Sequence, residues 1–233
     1  MQADVIVVAA GKGERMGAVL PKPFLPLLGI PLLVRTLRAV SSSRLVRKII
    51  LVIAEERESL CREMLQAYGP FRTPITIVHG GAERQDSVRF GLVALDPENA
   101  IVAIHDAARP FLTPDILDAS IVTAAEHGGA LVAVPVRDTI KRVTESGIVT
   151  GTVPRQQLWL AQTPQTFRVS LIRQAHARAA AEGITTTDDA ALLEWGGKPV
   201  KVVLGSLRNF KITTPEDLQL AETILAAECR EGK

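Results

Sequence analysis

The chain has 233 residues, of which 47% are hydrophobic and 22% are charged, a composition that excludes a disordered or fibrous protein. Its 27 basic and 25 acidic residues leave a net charge of only +2, and aromatic residues make up 4% of the chain. Proteins that bind nucleic acids usually carry a large basic excess, and those that bind single strands add aromatic stacking platforms. We therefore expect no nucleic-acid partner, and any anion that binds should be small and held locally.

Sequence features that accompany export or membrane insertion are missing. Cys61 and Cys229 lie far apart without C-x-x-C spacing, so we expect two reduced thiols. Residues 1–4 lead into an apolar run without the basic segment that opens a signal peptide. The most apolar long stretch, residues 19–34, contains Lys22 and several prolines, which excludes a membrane span. We expect a cytoplasmic protein with no membrane partner.

Short apolar runs alternate with helical patterns along the chain. Runs of Val, Ile, Leu and Ala without polar alternation predict strands at 5–10, 49–53, 75–78, 101–104, 130–134 and 200–204. Such runs are typical of parallel strands that are buried on both faces by helices. Capping and proline signals predict helices that begin near residues 31, 114, 170 and 215, the third of them ending at Gly183. The alternation predicts an α/β fold with a single doubly wound, mostly parallel sheet flanked by helices.

One segment, at about 138–157, interrupts this alternation. Residues 139–144 and 148–153 are β-type runs on either side of Glu145-Ser146-Gly147, a plausible hairpin turn. The segment is too polar for the core and too regular for a linker. We predict a β-arm that projects from a single domain spanning residues 1–233. The arm either reaches a second subunit or is a surface hairpin without a partner.

A glycine-rich loop, Ala-Ala-Gly-Lys-Gly-Glu-Arg-Met-Gly at 9–17, follows the first predicted strand. Glycines let the backbone approach an anion closely, and successive N–H groups can bind phosphate oxygens. The loop is not the dinucleotide-binding G-x-G-x-x-G, because its third glycine comes one residue late and no acid follows about twenty residues on. It is not a phosphate-binding P-loop either, because Lys12 is followed by Gly13. Taken alone, the glycines are equally explained by a structural turn.

Two further clusters follow predicted strands. Ligands of open α/β sheets bind beyond the carboxyl ends of the strands, which is where Asp106 and Arg109 fall. An aspartate there can hold Mg²⁺ or a ribose hydroxyl, and an arginine can bind phosphate in a bidentate manner, or the two can simply pair and close a loop. Residues 80–87 can present backbone groups to a base, or can be a capped loop. Arg155 and Lys211, seen alone, would be solvated charges.

In combination and in order, these segments resemble one family, the 2-C-methyl-D-erythritol 4-phosphate cytidylyltransferases of the sugar-phosphate nucleotidyltransferase superfamily. The first motifs are Ala-Ala-Gly-x-Gly-x-Arg-Met from residue 9, Pro-Lys-Pro-Phe from 21, Gly-Gly-x-Glu-Arg-Gln-x-Ser-Val from 80, His-Asp-Ala-Ala-Arg-Pro-Phe from 105 and Pro-Val-x-Asp-Thr-Ile-Lys from 135. The later motifs are Thr-Pro-Gln-Thr-Phe at 163–167, Thr-Asp-Asp at 187–189 and Asn-x-Lys-Ile-Thr-x-Pro-Glu-Asp at 209–217. The resemblance covers essentially the whole chain, and it implies a Rossmann-like nucleotidyltransferase fold.

The resemblance implies an enzyme that transfers CMP from CTP to methylerythritol phosphate, giving CDP-methylerythritol and pyrophosphate in non-mevalonate isoprenoid biosynthesis. Arg15 and Lys22 would stabilise the pentacoordinate phosphorus and the leaving pyrophosphate, while Arg155 and Lys211 would position the acceptor phosphate. The CTP-binding residues implied are Ala9, Ala10, Gly11, Gly13, Gly80, Ser87 and Ala107. The residues implied around the acceptor are Asp106, Arg109, Thr139 and Thr163.

The resemblance also implies Mg²⁺ on the CTP phosphates, with Asp106 as the nearest protein carboxylate. It further implies a homodimer in which the arm brings Thr139 and Arg155 to the neighbouring subunit's site. Three other functions remain open at this stage. They are a cytidylyltransferase for another polyol phosphate such as ribitol 5-phosphate, a dinucleotide-dependent dehydrogenase, and a nucleotide sensor without catalytic activity.

Overall fold

The computed structural model describes residues 1–11, 21–96 and 100–231. Its strands are β1 (Ala3–Val8), β2 (Pro26–Leu27), β3 (Ile30–Pro31), β4 (Val46–Ile53), β5 (Ile75–His79), β6 (Ile101–Asp106), β7 (Gly129–Pro135), β8 (Ile140–Val143), β9 (Val149–Val153), β10 (Trp159–Arg168) and β11 (Lys201–Leu204). Its α-helices are α1 (Leu32–Ser42), α2 (Glu58–Tyr68), α3 (Arg84–Val93), α4 (Pro114–His127), α5 (Val169–Glu182), α6 (Asp189–Trp195) and α7 (Pro215–Glu231). None of these helices is both long enough and apolar enough to cross a membrane.

Seven strands form one sheet in the order β11-β7-β10-β6-β1-β4-β5. All neighbours pair in parallel except β10, which runs antiparallel to both β6 and β7. The prediction of a mostly parallel α/β sheet is therefore confirmed. All six predicted strands are present, and β1 lies between β6 and β4 near the centre.

The strands lack polar alternation because helices cover both faces of the sheet. On β1, Val5 and Val7 pack in one apolar cluster with side chains of α1, α2 and α4. The intervening Ile6 packs on the opposite face with side chains of α3, α5 and α6. A strand that is buried on both faces must be apolar at consecutive positions, which is the pattern that the sequence shows.

Helix ends follow the capping residues. The Thr113 hydroxyl accepts a hydrogen bond from the Ile116 N–H at 3.4 Å, and Pro114 is the first residue of α4. Helix α5 ends at Gly183, whose φ of 66° lies in the left-handed region that favours glycine. These ends confirm the predicted boundaries, because capping chemistry is local in sequence.

Strand β10 was not predicted, and its composition explains why. Four polar side chains of β10 are buried, so this segment has neither the alternating pattern nor the continuous apolar run that predicts a strand. They are Gln162, Thr163, Gln165 and Thr166. Each of them has a hydrogen-bond partner within the protein. Buried polar groups are tolerated when they are satisfied in this way. The strand therefore brings polar groups into the middle of the sheet, beside β6.

Strands β8 and β9 pair antiparallel in a sheet of their own, within the segment where the sequence predicts the arm. Their turn closes with a hydrogen bond from the Gly147 N–H to the Thr144 carbonyl at 2.9 Å, and Gly147 has a φ of 82°. Apolar side chains on this hairpin are exposed, among them Val143, Ile148 and Val149. The hairpin leaves the main sheet after β7 and returns to it at β10.

Candidate active site

A cleft of about 770 Å³ opens at the carboxyl ends of β1, β4, β5 and β6. Its lining comes from residues 8–11, 22–23, 54–56, 80–84 and 106–108, and from Ser87, Lys211 and Thr213. This is the edge of an open α/β sheet at which ligands bind, because the loops that follow neighbouring parallel strands meet there. The structure thus brings segments that are distant in sequence to one cavity.

One wall of the cleft is built from tightly packed backbone. The Ala9 N–H donates to the Val52 carbonyl at 2.7 Å, and the Ala107 N–H donates to the Val8 carbonyl at 3.1 Å, which extends the strand pairing beyond β1. A Cβ added at Gly80 would lie 2.5 Å from the Ala10 Cβ, closer than real side chains approach. Glycine is therefore required at position 80 by this close approach of two loops.

Ser87 holds the turn beside Gly80. Its hydroxyl accepts a hydrogen bond from the Gly81 N–H at 3.2 Å and donates one to the Glu83 carbonyl at 3.1 Å. The side chain is buried at the first turns of α3. Ser87 thereby fixes the geometry of the loop that lines the cleft.

The start of the glycine loop is held in place by a hydrogen bond from Arg57. The Arg57 guanidinium donates to the Gly11 carbonyl at 3.0 Å, and its side chain is only 14% exposed. The structure places Ala9, Ala10 and Gly11 on the cleft, as the sequence suggests, whereas Gly13 and Arg15 lie outside the described residues. Lys22 also lines the cleft, at the first position of a 3-10 turn, Lys22–Phe24.

Asp106, at the end of β6, is surrounded by three cations. Its Oδ2 lies 2.8 Å from Lys211 Nζ and 3.9 Å from Arg109 Nε, and its Oδ1 lies 3.4 Å from Arg84 Nε. Burial alone would raise the pKa of Asp106, but Lys211, Arg84 and Arg109 outweigh it and hold the pKa well below its usual range. The carboxylate is therefore ionised at any physiological pH, and it fixes the Lys211 ammonium at the cleft.

A buried hydrogen-bond chain holds the backbone of Asp106 in place. The Asp106 N–H donates to the Thr163 hydroxyl at 3.0 Å, and that hydroxyl lies 3.1 Å from His105 Nδ1. His105 Nε2 lies 3.0 Å from the Arg109 carbonyl, which can only accept, so Nε2 carries the proton and Nδ1 accepts from Thr163. Burial lowers the pKa of His105 to about 4, which keeps the ring neutral.

The loop that carries Lys211 is joined to the loop after β6. The Arg109 guanidinium donates to the Asn209 carbonyl at 2.7 Å, and the Asn209 side-chain amide donates to the Thr163 carbonyl at 2.9 Å. The Ile212 N–H donates to the Ala108 carbonyl at 2.9 Å. These contacts on both sides of Lys211 fix its backbone relative to Asp106.

The family model for "IspD: 2-C-methyl-D-erythritol 4-phosphate cytidylyltransferase" matches residues 3–227. The chain belongs to this family. A 2-C-methyl-D-erythritol 4-phosphate cytidylyltransferase from Geobacter metallireducens is 49% identical over 228 residues, covering 97% of this chain and 98% of its own. One from Pelotomaculum thermopropionicum is 45% identical over 228 residues, covering 98% of this chain and 95% of its own.

Solved structures agree with the family assignment. The crystal structure of a 4-diphosphocytidyl-2C-methyl-D-erythritol synthase from Anaerococcus prevotii has a TM-score of 0.85 and 32% identity, and the match covers 97% of this chain and 96% of that one. The 2-C-methyl-D-erythritol 4-phosphate cytidylyltransferase of Thermus thermophilus has a TM-score of 0.80 and 34% identity, with coverage of 96% and 98%. The fold is thus that of the cytidylyltransferase family.

The remaining residues that the family resemblance implies fall into two groups. Arg109 and Thr163 are buried behind Asp106, where they contact it or its backbone. Thr139 and Arg155 are exposed at the base of the arm and are not among the described residues that line the cleft. The Arg155 guanidinium donates to the Arg137 carbonyl instead. The residues implied at the acceptor are therefore not all gathered at one place in the chain.

Asp106 is also the carboxylate to test for Mg²⁺. The described part of the chain contains no group of three or more His, Cys, Asp or Glu side chains that could enclose a metal. Mg²⁺ is commonly held by one or two carboxylates together with substrate phosphates. Asp106 is kept ionised beside the cleft, and among the described residues no cation lies closer than 3.4 Å to its Oδ1. The described residues therefore fit a magnesium ion that arrives with a nucleotide, and Asp106 is the carboxylate that would hold it.

Sequence reasoning missed four side chains that organise this site: Arg57, Arg84, Asp189 and Asn209. Three of them lie inside family motifs, in Glu-Arg-Gln, Thr-Asp-Asp and Asn-x-Lys, so the signal was present without a role attached to it. Arg57 carried no such signal. Their importance follows from contacts between residues that are distant in sequence.

Proposed function

We propose that the protein transfers the cytidylyl group of CTP to 2-C-methyl-D-erythritol 4-phosphate, giving CDP-methylerythritol and pyrophosphate. Membership of the cytidylyltransferase family supports this, and one observation on the site carries it. Lys211, fixed by Asp106 at 2.8 Å, lies in the same cleft as Lys22 and the Ala9–Gly11 backbone. A triphosphate and a second phosphate need such cations on both sides of the reacting phosphorus.

In this reaction an oxygen of the acceptor phosphate attacks the α-phosphorus of CTP, and the bond from that phosphorus to pyrophosphate breaks. The acceptor phosphate is already anionic, so no general base has to remove a proton. The barrier lies in bringing two polyanions together in line and in stabilising the charge that develops in the transition state. This requirement is met by fixed cations, and neutral His105 does not take part as a base.

Each cation has a distinct part in the proposal. Lys22, together with Arg15, binds the triphosphate and stabilises the charge on the transferred phosphorus and on pyrophosphate. Lys211 and Arg155 orient the acceptor phosphate, with Arg109 behind Asp106 supporting the same loop. Magnesium bound by Asp106 and the phosphates would neutralise part of the nucleotide's charge.

The base of CTP is proposed to bind against the loop that contains Gly80, Gly81 and Ser87. Gly80 and Gly81 line the cleft without side chains, so their backbone groups face this part of the cavity. Backbone donors and acceptors can pair with the edge of a cytosine without an aromatic stacking platform. The low aromatic content of the chain is consistent with this mode of binding.

The whole chain is proposed to act as one domain, as a homodimer joined through the β8–β9 arm. The arm carries exposed apolar side chains, and its base carries Thr139 and Arg155, which one subunit does not bring to its own cleft. Dimerisation would supply both to the neighbouring site.

Cys61 and Cys229 form no disulfide, consistent with a cytoplasmic location, and the net charge of +2 argues against a nucleic-acid partner.

One assay tests the proposed function. The purified protein is incubated with CTP and Mg²⁺ and with methylerythritol phosphate or ribitol 5-phosphate, and pyrophosphate is measured over time. We expect release with methylerythritol phosphate that depends on both substrates. If pyrophosphate is released only with ribitol 5-phosphate, the acceptor is ribitol 5-phosphate and not methylerythritol phosphate. If it is released with neither, the proposed cytidylyltransferase activity is refuted.

A further inference from the structure

A second buried carboxylate lies behind the cleft and has no part in the reaction described so far. Asp189, at the first position of α6, is completely buried. Its Oδ2 lies 2.8 Å from Arg84 Nη2, and its Oδ1 lies 3.5 Å from His176 Nε2. Taking such a charge out of water is costly, so a buried ion pair is weak evidence for a role in stability. A role in placing Arg84 is the alternative.

Arg84 is shared between two carboxylates. Its Nη2 approaches Asp189 to 2.8 Å, whereas its Nε stays 3.4 Å from Asp106 Oδ1. Asp189 therefore keeps the Arg84 guanidinium far enough from Asp106 that the contact between Arg84 and Asp106 is weak. If Asp189 lost its charge, Arg84 would have Asp106 as its one carboxylate partner among the described residues and would close on it.

Lys211 depends on the same carboxylate. Its ammonium contacts Asp106 Oδ2 at 2.8 Å, and its side chain is 38% exposed at the cleft. A guanidinium that closes on a carboxylate tends to engage both oxygens in a bidentate pair. Arg84 released from Asp189 would thus compete with Lys211 for Asp106, and Lys211 would lose its fixed position.

The start of α6 is attached by hydrogen bonds that do not use the Asp189 side chain. The preceding residue, Asp188, is the N-cap: its Oδ1 accepts from the Ala191 N–H at 3.0 Å, and its Oδ2 accepts from the Gln165 amide at 2.9 Å. Gln165 in turn accepts from the Asp189 and Ala190 N–H groups at 3.0 and 2.9 Å. The helix start is thereby attached to β10 through its backbone and Asp188, while the Asp189 side chain faces Arg84 and His176.

We propose that Asp189 is a positioning residue for Lys211, acting through Arg84 and Asp106. By drawing Arg84 away from Asp106, it leaves the carboxylate to orient the ammonium toward the acceptor phosphate. This inference rests on the proposed function, because it assigns Lys211 to the acceptor. Asp189 is buried and touches neither substrate. It would nevertheless affect how efficiently the enzyme uses the acceptor.

The first test compares Asp189→Asn with Asp188→Asn. Both variants remove one negative charge at adjacent positions. Asparagine at position 188 keeps an oxygen for the Ala191 N–H but no longer accepts from the Gln165 amide, so this control measures the loss of a contact at the start of α6 that does not involve Arg84. For Asp189→Asn we expect kcat/KM for methylerythritol phosphate to fall about tenfold or more, as for groups that orient a functional side chain, with the KM for CTP unchanged. For Asp188→Asn both values should stay close to those of the wild type. Thermal unfolding of each variant shows whether the samples are folded.

The second test is a double-variant cycle with Lys211→Ala, with product formation followed from labelled CTP so that slow turnover remains measurable. If Asp189 acts through Lys211, Asp189→Asn lowers acceptor kcat/KM in the wild type but has little further effect when Lys211 is absent. If the two effects multiply, Asp189 has a separate structural role and the inference is wrong. It is also wrong if Asp189→Asn retains wild-type acceptor kcat/KM, or if it changes the use of CTP and of the acceptor equally. If the wild-type protein does not transfer CMP to methylerythritol phosphate, the proposed function itself is refuted. Failure of the proposed function is thus seen in the wild type, whereas failure of the Asp189 inference is seen only in the variants.

Discussion

Replacing Gly80 with alanine tests whether the close approach of two loops shapes the nucleotide side of the cleft. The added methyl group would lie 2.5 Å from the Ala10 Cβ, 2.7 Å from the Ser87 Oγ and 3.3 Å from the Val52 Cγ1. Carbon atoms in contact normally stay about 3.5–4.0 Å apart, so the two loops must separate by roughly 1 Å. Ser87 can yield only by giving up its hydrogen bonds to the neighbouring turn.

The expected cost follows from overpacking, which typically destabilises a protein by about 1–3 kcal/mol. For a chain of this length, each kcal/mol lowers Tm by roughly 2–4 °C, which differential scanning calorimetry resolves. Because the movement displaces Ala10 and the loop around Gly80, we expect the KM for CTP to rise while the KM for the acceptor changes little.

Gly151→Ala is the matched control for Gly80→Ala. Gly151 lies on β9 of the proposed arm interface, and a Cβ added there meets no atom of this chain within 4 Å. Its use as a control therefore includes a check by analytical ultracentrifugation that the variant has the oligomeric state of the wild type. The control should keep the wild-type Tm and the wild-type KM for CTP. A Gly80→Ala protein that also kept both values would show that the two loops do not approach each other closely enough to shape the nucleotide side of the cleft.

Three predictions concern the cations and the arm. Lys22→Ala and Arg15→Ala should each lower kcat about 100-fold or more in the pyrophosphate assay, since each removes a donor to transition-state charge, and near-wild-type kcat in both would exclude this role. Lys211→Ala and Arg155→Ala should lower kcat/KM for the acceptor about ten- to a hundredfold, the worth of one hydrogen bond to a charged group, whereas an unchanged value would remove them from acceptor binding. Deleting residues 139–153 should yield a monomer in analytical ultracentrifugation, and a dimer that survives the deletion would show that the arm is not the interface.

Much of the fold could be predicted because its signals are local. The central strands are continuous apolar runs, since helices on both faces leave no solvent-exposed position, and Thr113 and Gly183 mark helix ends through their own capping geometry. Strand β10 escaped prediction because its buried Gln165 and Thr166 are polar. Gln165 forms a hydrogen bond with α6 and Thr166 forms one with α4. The pattern of hydrophobicity along the chain does not predict such partners, because they are distant in sequence.

The site was predictable in part. Asp106 ends β6 and Gly80 follows β5, so both fall at the carboxyl edge of the sheet, where the topology gathers such residues. The family resemblance implies that Thr163 lies at the acceptor, and in the structure its hydroxyl joins the Asp106 backbone to neutral His105. It implies the same for Arg155, which lies in the chain at the base of the arm. These placements depend on contacts between segments that are distant in sequence, which no local pattern encodes.

The sequence by itself determined the alternation of strands and helices, the positions of the loops that reach the cleft, and the family to which the chain belongs. Tertiary structure alone decided which charges share a partner. Asp106 meets Lys211, and Arg84 meets Asp189, across about a hundred residues of chain in each case. The strength of an ion pair depends on distance and on burial, neither of which is encoded by separation along the chain. Around Asp106, these few side chains form an ordered network of ion pairs at the cleft, in a protein whose net charge is close to zero.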